Sequence, residues 1–151
     1  MACERTRFRT QEGASVSAAI IESQQMVATM FGLSGIDIAK TGIDDWTDPN
    51  SPVSSNRNES AYGLVLAAMT QTLASNSISS SNMLQLVNCY AEDLKDGDID
   101  NNDGTSTVTC SAGITSQNAY LYMNQAMDQF MLNTRNQHQG TSMTMPRTPT
   151  L

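Results

Sequence analysis

The amino-acid sequence predicts an all-α fold, a small four-helix bundle with two long loops. Its 151 residues correspond to about one domain. Apolar side chains recur with a period of about 3.6 residues in four separate segments, which is the pattern of helices that bury one face. The break between the second and third segments, SNSISSS, is short, and so short a connection favours an antiparallel pair of neighbouring helices.

Four predicted helices follow from the positions of these apolar residues. The first covers about 15–31 and ends at Gly32, a residue type that commonly follows a helix. The second and third cover 57–75 and 81–95, and the fourth covers 115–137. Because each segment carries its apolar side chains on one side, the four helices are expected to share one core.

Two irregular segments interrupt the helices. The first, residues 32–55, is unusually long for a loop inside a compact domain, so its apolar side chains are expected to pack back onto the helices. These side chains are Leu33, Ile36, Ile38, Ile43, Trp46 and Val53. The second is an Asp-rich loop between the third and fourth helices. Residues 1–13 and 139–151 are polar and are expected to be flexible segments on either side of a helical domain at 14–138.

Composition and charge exclude several functions. The net charge is −7 with only eight Lys and Arg residues, so the chain is not expected to bind nucleic acid. No apolar run approaches the roughly 20 residues that a membrane span requires. His138 is the sole histidine and lies in a polar run, and no glycine-rich phosphate loop is present. The sequence therefore predicts a protein that is not an enzyme and has no catalytic residues.

Three cysteines bear on the cellular compartment. Cys89 and Cys110 flank the Asp-rich loop, and in an oxidising compartment a bond between them would close this loop. The alternative is that both thiols are reduced and that Cys89 fills a helical core position. Cys3 would remain unpaired. The abundance of uncharged polar residues favours a location outside the cytosol, and the chain is expected to be a segment of a longer secreted protein.

The Asp-rich loop, DLKDGDIDNNDGT, contains five aspartates and two asparagines. When it is aligned with an EF-hand calcium loop that begins at Asp96, Asp98 and Asp100 fall at the third and fifth positions, which supply side-chain ligands. Two positions depart from that pattern. Asn101 replaces the glycine at position six, and Thr107 replaces the bidentate glutamate at position twelve.

Two interpretations of this loop stay open. In the first, the loop binds calcium with a weak, hard-cation site. Its ligands would be Asp96, Asp98, Asp100, Asn102 and Asp103. In the second, the loop is a solvated turn in which the Asp and Asn side chains accept hydrogen bonds from their own backbone.

Three segments of the sequence, taken together, carry a resemblance to a known domain: AIIESQQMVATMFGLSGIDIAKT, SAYGLVLAAMTQTLA and LVNCYAEDLKDGDID. They resemble a helical domain that recurs in large bacterial secreted proteins and surface lipoproteins, and the resemblance spans about residues 15–104. In that domain a helix closes on DL followed by two DG pairs, and this chain delays the second pair to Asp103 and Gly104. The resemblance implies a cell-envelope or extracellular location and no particular activity.

These observations predict a non-catalytic structural or spacer module of a bacterial cell-surface or secreted protein. Its expected partners are neighbouring domains or subunits of a surface assembly. One alternative is a helical module that binds a ligand or peptide in a groove between residues 32–55 and the helices. Another is a subunit of an extracellular filament. A contiguous exposed apolar patch would favour either alternative.

Overall fold

A computed structural model describes residues 1–51, 57–140, 143 and 145–151. Among these residues the protein is all-helical, as predicted, and contains no strand. The described residues form six α-helices, namely α1 (Ala2–Gln11), α2 (Val16–Met30), α3 (Arg57–Ser75), α4 (Met83–Asp93), α5 (Ser116–Leu121) and α6 (Met123–Met131). A short 3-10 helix, Ser80–Asn82, leads into α4. No helix in the described ranges combines the length and the apolar character that crossing a membrane requires.

Side chains of α2, α3, α4, α5 and α6 pack into a shared hydrophobic core. Its largest fully buried side chains are Trp46, Tyr90, Tyr120, Leu64, Met69, Leu73, Leu86, Leu94, Ile99, Met123, Met127 and Val65. Phe31, at the end of α2, meets two of these rings edge-on, with centroid distances of 5.3 Å to Tyr90 and 6.1 Å to Tyr120. Each such aromatic pair contributes about 1 kcal/mol beyond its buried area. The three rings therefore tie α2 to α4 and α5.

The first three predicted helices agree with the structure. The predicted helices at 15–31 and 57–75 correspond to α2 and α3 to within one residue at each end. Ser15 caps α2, because its hydroxyl accepts a hydrogen bond from the backbone N–H of Ala18 at 3.3 Å. The predicted helix at 81–95 corresponds to α4, which is shorter by two residues at each end.

Helix α1 lies in the N-terminal segment that was expected to be flexible. None of its residues is fully buried, and its sequence accordingly lacks the periodic apolar positions that predicted the other helices. Ala2 packs partly against the core, and polar contacts supply the other interactions that position the helix. Arg9 donates to the carboxylate of Glu22 on α2 at 3.1 Å, and Arg5 donates to the backbone carbonyl of Lys95, just after α4. Contacts of this kind hold a helix in place without an amphipathic pattern.

The fourth predicted helix is wrong in its extent. It is divided at Tyr122 into α5 and α6, and it ends at Met131 rather than at residue 137. Asparagine side chains compete with the helix beyond that point. The side-chain amide of Asn136 donates to the Met131 backbone carbonyl oxygen at 3.1 Å, and the side-chain Oδ1 of Asn133 accepts from the backbone N–H of Arg135 at 2.9 Å.

The long segment after α2 packs back onto the helices, as predicted. The side chains that contact the core are Leu33, Ile36, Ile38 and Trp46. The prediction is wrong for Ile43, which is 54% exposed. Val53 lies outside the described residues.

Part of the C-terminal segment that was expected to be flexible also packs against the helices. Pro146 and Thr148 are buried, and Met143 and Met145 are partly buried against the core. Arg147 forms an ion pair with Asp128 on α6 at 2.7 Å. This segment has few apolar and charged residues, and the residues that they contact are distant in sequence. A local sequence pattern therefore could not predict that the segment packs against the helices.

Candidate functional site

The Asp-rich loop, residues 93–105, connects α4 to the segment that leads into α5. Two apolar side chains anchor it in the core, since Leu94 is 0% exposed and Ile99 is 1% exposed. Asp98 and Asp100 flank Ile99 and are exposed to solvent. The other predicted calcium ligands, Asp96, Asn102 and Asp103, are half-buried. The two buried side chains therefore fix the loop on the core, and Asp98 and Asp100 present their carboxylates to solvent.

Side chains of the loop fold back onto its own backbone. The Oδ1 atom of Asp96 accepts from the N–H of Asp98 at 3.2 Å, and that of Asp100 accepts from the N–H of Asn102 at 2.9 Å. Asn102 in turn accepts from the N–H of Gly104 at 2.9 Å. Each contact closes a turn in which the side chain replaces a backbone acceptor. These are the hydrogen bonds of the solvated-turn interpretation.

Asp103 accepts several hydrogen bonds at the outer end of the loop. Its Oδ1 atom accepts from the Thr105 hydroxyl at 2.7 Å, from the Thr105 N–H at 3.0 Å and from the Ser106 N–H at 2.8 Å. These hydrogen bonds, the hydroxyl first, hold the pKa of the Asp103 carboxyl below its ordinary value. The carboxylate lies 4.0 Å from the Lys95 ammonium group. Asp103 thus remains charged and organises the outer end of the loop.

Within the described residues, no three or more carboxylate, thiol or imidazole side chains form a group that could hold a metal ion. Asn101, at the position of the EF-hand glycine, has a φ of 68°, so it does adopt the left-handed conformation that the turn needs. Asn101 thus has the left-handed backbone that the glycine of a calcium loop adopts. The carboxylates of Asp96, Asp100 and Asp103 each accept a hydrogen bond from a backbone N–H of the loop.

Asp93, which was not among the predicted site residues, organises the inner end of the loop. It is the last residue of α4 and is 0% exposed, and one of its oxygens accepts from the Ser116 hydroxyl at 2.5 Å. Burial raises the pKa of the Asp93 carboxyl, whereas the hydrogen bond from Ser116 and the backbone N–H groups of the loop lower it. A spacing of seven residues after the buried Leu86 was the available signal, because it places Asp93 on the buried face of the helix.

We expect the stability that Asp93 confers to decrease as the pH rises. A carboxyl whose pKa is higher in the folded than in the unfolded protein binds a proton more tightly when folded, so it favours folding at low pH and opposes it above the folded pKa. Relative to Asp93→Asn, the parent protein should therefore lose stability as the pH rises above about 4, the ordinary pKa of an aspartate. Urea unfolding of both proteins across these pH values measures the difference.

The exposed Asp98→Asn variant is the control for this measurement, because it removes the same charge from the same loop without changing a buried group. The acidic groups whose pKa is lowered, such as Asp103, are present in all three proteins and cancel in the comparison. Parallel stability curves for the parent protein and Asp93→Asn would contradict the assignment.

A disulfide closes the site. Cys89 on α4 is bonded to Cys110, and their Cα atoms lie 5.5 Å apart, the ordinary spacing for such a bond. The predicted pairing is confirmed, and the alternative of two reduced thiols is not what the structure contains. Cys3 is free and exposed.

The region as a whole is an acidic turn that is cross-linked onto an all-helical core. Two buried apolar residues, a buried carboxylate and a disulfide fix it, and its exposed carboxylates are available to a cation or to solvent. No protein-family model, curated protein or solved structure matches the chain.

Proposed function

We propose that the chain is a non-catalytic structural or spacer module of a bacterial cell-surface or secreted protein, with neighbouring domains or subunits of a surface assembly as its partners. The observation that supports this most directly is the bond between Cys89 and Cys110. Disulfides of this kind persist in oxidising compartments and are rare in the cytosol. The resemblance of residues 15–104 to a helical domain of bacterial surface proteins favours the same location.

The arrangement of the helices supports a structural role. We propose that α2, α3, α4 and the pair α5–α6 act as one four-helix bundle, in which the two short helices together take the place of the fourth. Helix α1 lies outside this unit and contributes polar contacts rather than buried side chains. A single packed core with a cross-linked loop would keep its shape while it holds neighbouring domains apart.

Surface labelling tests the proposed location. An antibody raised against the folded chain is expected to bind intact cells of the source organism, or the medium in which they grew, without permeabilisation. Non-reducing digestion of the labelled protein should yield the linked peptides of Cys89 and Cys110. Labelling only after permeabilisation, with both thiols free, would refute the proposal.

We also propose that calcium binds the Asp-rich loop weakly. Its exposed carboxylates repel one another, since like charges about 4 Å apart oppose each other by about 1 kcal/mol even in bulk water. A cation would relieve this repulsion. The sequence lacks the bidentate glutamate of an EF-hand, so the dissociation constant should lie near 10⁻³ M, as in extracellular modules. At about 10 mM calcium the stabilisation would be about 1.4 kcal/mol, which raises the melting temperature by about 4 °C.

The matched control for calcium is the double variant Asp98→Asn and Asp100→Asn. Asparagine keeps the oxygen that Asp100 offers to the Asn102 N–H, so the turn should survive while two charges are lost. Thermal melting of the parent protein and the variant is measured with added calcium and, for ionic strength, with added magnesium. A parent melting temperature that does not respond to calcium would leave the solvated turn as the correct interpretation.

A further inference from the structure

The C-terminal segment at residues 145–149 lies in a groove on α5 and α6, beside the end of α2. Pro146 and Thr148 are buried, whereas Arg147 and Pro149 are exposed. Alternation of this kind is the pattern of an extended chain that places one side against a surface. We call residues 145–151 the tail and the surface beneath it the tail groove.

Contacts to the backbone of the tail dominate in the groove. The Asn124 amide brackets Thr148, because its nitrogen donates to the Thr148 carbonyl oxygen at 3.2 Å and its oxygen accepts from the Thr148 N–H at 3.0 Å. The Tyr120 hydroxyl lies 3.1 Å from the carbonyl oxygen of Pro149 and 2.8 Å from that of Met30. Pairing with the main chain of an extended segment is how many proteins bind peptides.

An ion pair and a glycine make the groove selective. The guanidinium of Arg147 contacts both carboxylate oxygens of Asp128, at 2.7 Å and 3.1 Å, and it also donates to the Asn124 carbonyl oxygen at 3.2 Å. Gly32 has a φ of +72°, and a Cβ atom there would lie 2.5 Å from the carbonyl oxygen of Arg147. Only glycine both adopts this backbone and lets the tail pass so closely.

We propose that the tail groove is a recognition site for the extended sequence Pro-Arg-Thr-Pro, and that a second copy of this chain supplies the occupant through its own tail. The groove is filled within one chain in the structure, and the same contacts can be made by the tail of another copy. This inference goes beyond the proposed structural role, because it assigns a binding site and a partner.

Charge and stiffness favour this occupant. Arg147 is the only charged residue of the tail, whereas the chain as a whole carries a net charge of −7 and offers Asp128 in the groove. Every copy therefore presents a segment of the opposite charge to the groove. Prolines on both sides of Arg147 and Thr148 fix two backbone angles in advance, which lowers the entropy lost when the tail is ordered on binding.

A peptide experiment tests the groove in the full-length chain. The dead-tail variant carries Arg147→Glu and Thr148→Pro, which remove the ion pair and the N–H that Asn124 accepts while leaving the groove unchanged. A fluorescent peptide of residues 145–151 is titrated against this variant and against the parent chain. An attached tail competes at an effective concentration in the millimolar range, so the dead-tail variant should bind the peptide about a hundredfold more tightly. Equal affinity of the two chains, or of a scrambled peptide, would overturn the site.

Charge exchange separates recognition from a merely structural role. In a background that carries Arg147→Ala and Thr148→Pro, so that the attached tail has no charge at residue 147, Asp128→Arg should abolish binding of the parent peptide and create binding of a peptide that carries Arg147→Glu. A groove that only covers the core would show no such reversal. Circular dichroism checks that each variant is folded, and the peptide titration itself needs only substitutions in the tail.

Mixing two variants tests the second copy as the occupant. The dead-groove variant carries Asn124→Ala and Asp128→Arg and keeps its tail. Sedimentation should detect a one-to-one complex when the dead-tail and dead-groove variants are mixed, and monomers when each is alone. Peptide binding without association of the two variants would overturn the second copy as the partner.

Discussion

Replacing Trp46 with alanine is expected to lower the free energy of unfolding by about 4 kcal/mol, because large buried aromatic side chains leave a cavity that the surrounding residues fill only in part. Trp46 is 1% exposed, and its Nε1 donates to the Ser60 carbonyl oxygen at 2.9 Å. Its own carbonyl oxygen accepts from the N–H of Gln137 at 3.0 Å. The ring thus attaches the long segment after α2 to α3, and the backbone of Trp46 attaches it to the residues after α6.

Gly63 on α3 explains how the segment comes so close. A Cβ atom at this position would lie 2.1 Å from the Asp44 carbonyl oxygen and 3.1 Å from the Trp46 ring. The absence of a side chain at Gly63 therefore creates the space that the indole and its neighbouring backbone occupy. Loss of the ring would leave that space empty.

The control for Trp46→Ala is Ile43→Ala, three residues away. Ile43 is 54% exposed, so its truncation should change stability by less than about 0.5 kcal/mol. Urea unfolding followed by far-ultraviolet circular dichroism measures both variants, since Trp46 is the only tryptophan and its fluorescence disappears with it. Equal stability of the two variants would contradict the role assigned to the ring.

The helices that could be predicted from the sequence are those whose stability comes from a buried apolar face. The buried residues of α2 and α3 recur at helical spacing, so the bounds of these helices were predicted to within one residue. The burial of Trp46 was also predictable, because leaving a large apolar ring exposed to water is unfavourable. The position at which the ring packs could not be predicted, because it depends on the space beside Gly63, in the interior of α3.

Helix α1 and the tail could not be predicted because non-local polar contacts hold them. Arg5 contacts the backbone of Lys95, which is 90 residues away, and Tyr120 contacts the backbone of Pro149, which is 29 residues away. Contacts to backbone carbonyls impose no residue type on their partners, so they leave no periodic signal in the sequence. In the candidate site the cysteines and the outer polar residues of the loop were recognised from the sequence. Asp93 was not, although its spacing of seven residues from Leu86 indicated a buried position.

Breaking the disulfide between Cys89 and Cys110 is expected to lower the free energy of unfolding by about 3 kcal/mol. The bond closes a loop between residues that are 21 positions apart. In the chain-entropy account, a loop of that size restricts the unfolded chain by about 3 kcal/mol. For a chain of 151 residues such a loss lowers the melting temperature by about 10 °C.

Thermal melting of the parent protein with and without reductant isolates the effect of the bond. The reduced protein keeps both sulfur atoms, so the packing around Cys89, which is 5% exposed, is not emptied as it would be in an alanine variant. Cys3→Ser is the matched control, because Cys3 is exposed and unbonded and its loss should leave the melting temperature unchanged.

Amide hydrogen exchange identifies the part of the chain that loses stability when the disulfide is reduced. Reduction should accelerate exchange at amides between the two cysteines more than at amides of α3, because the bond holds the Asp-rich loop against α4. An unchanged melting temperature after verified reduction would contradict the prediction. A loss of the expected size would make the chain markedly less stable wherever thiols are kept reduced, and that difference in stability is the physical link between the bond and the oxidising compartment proposed for the protein.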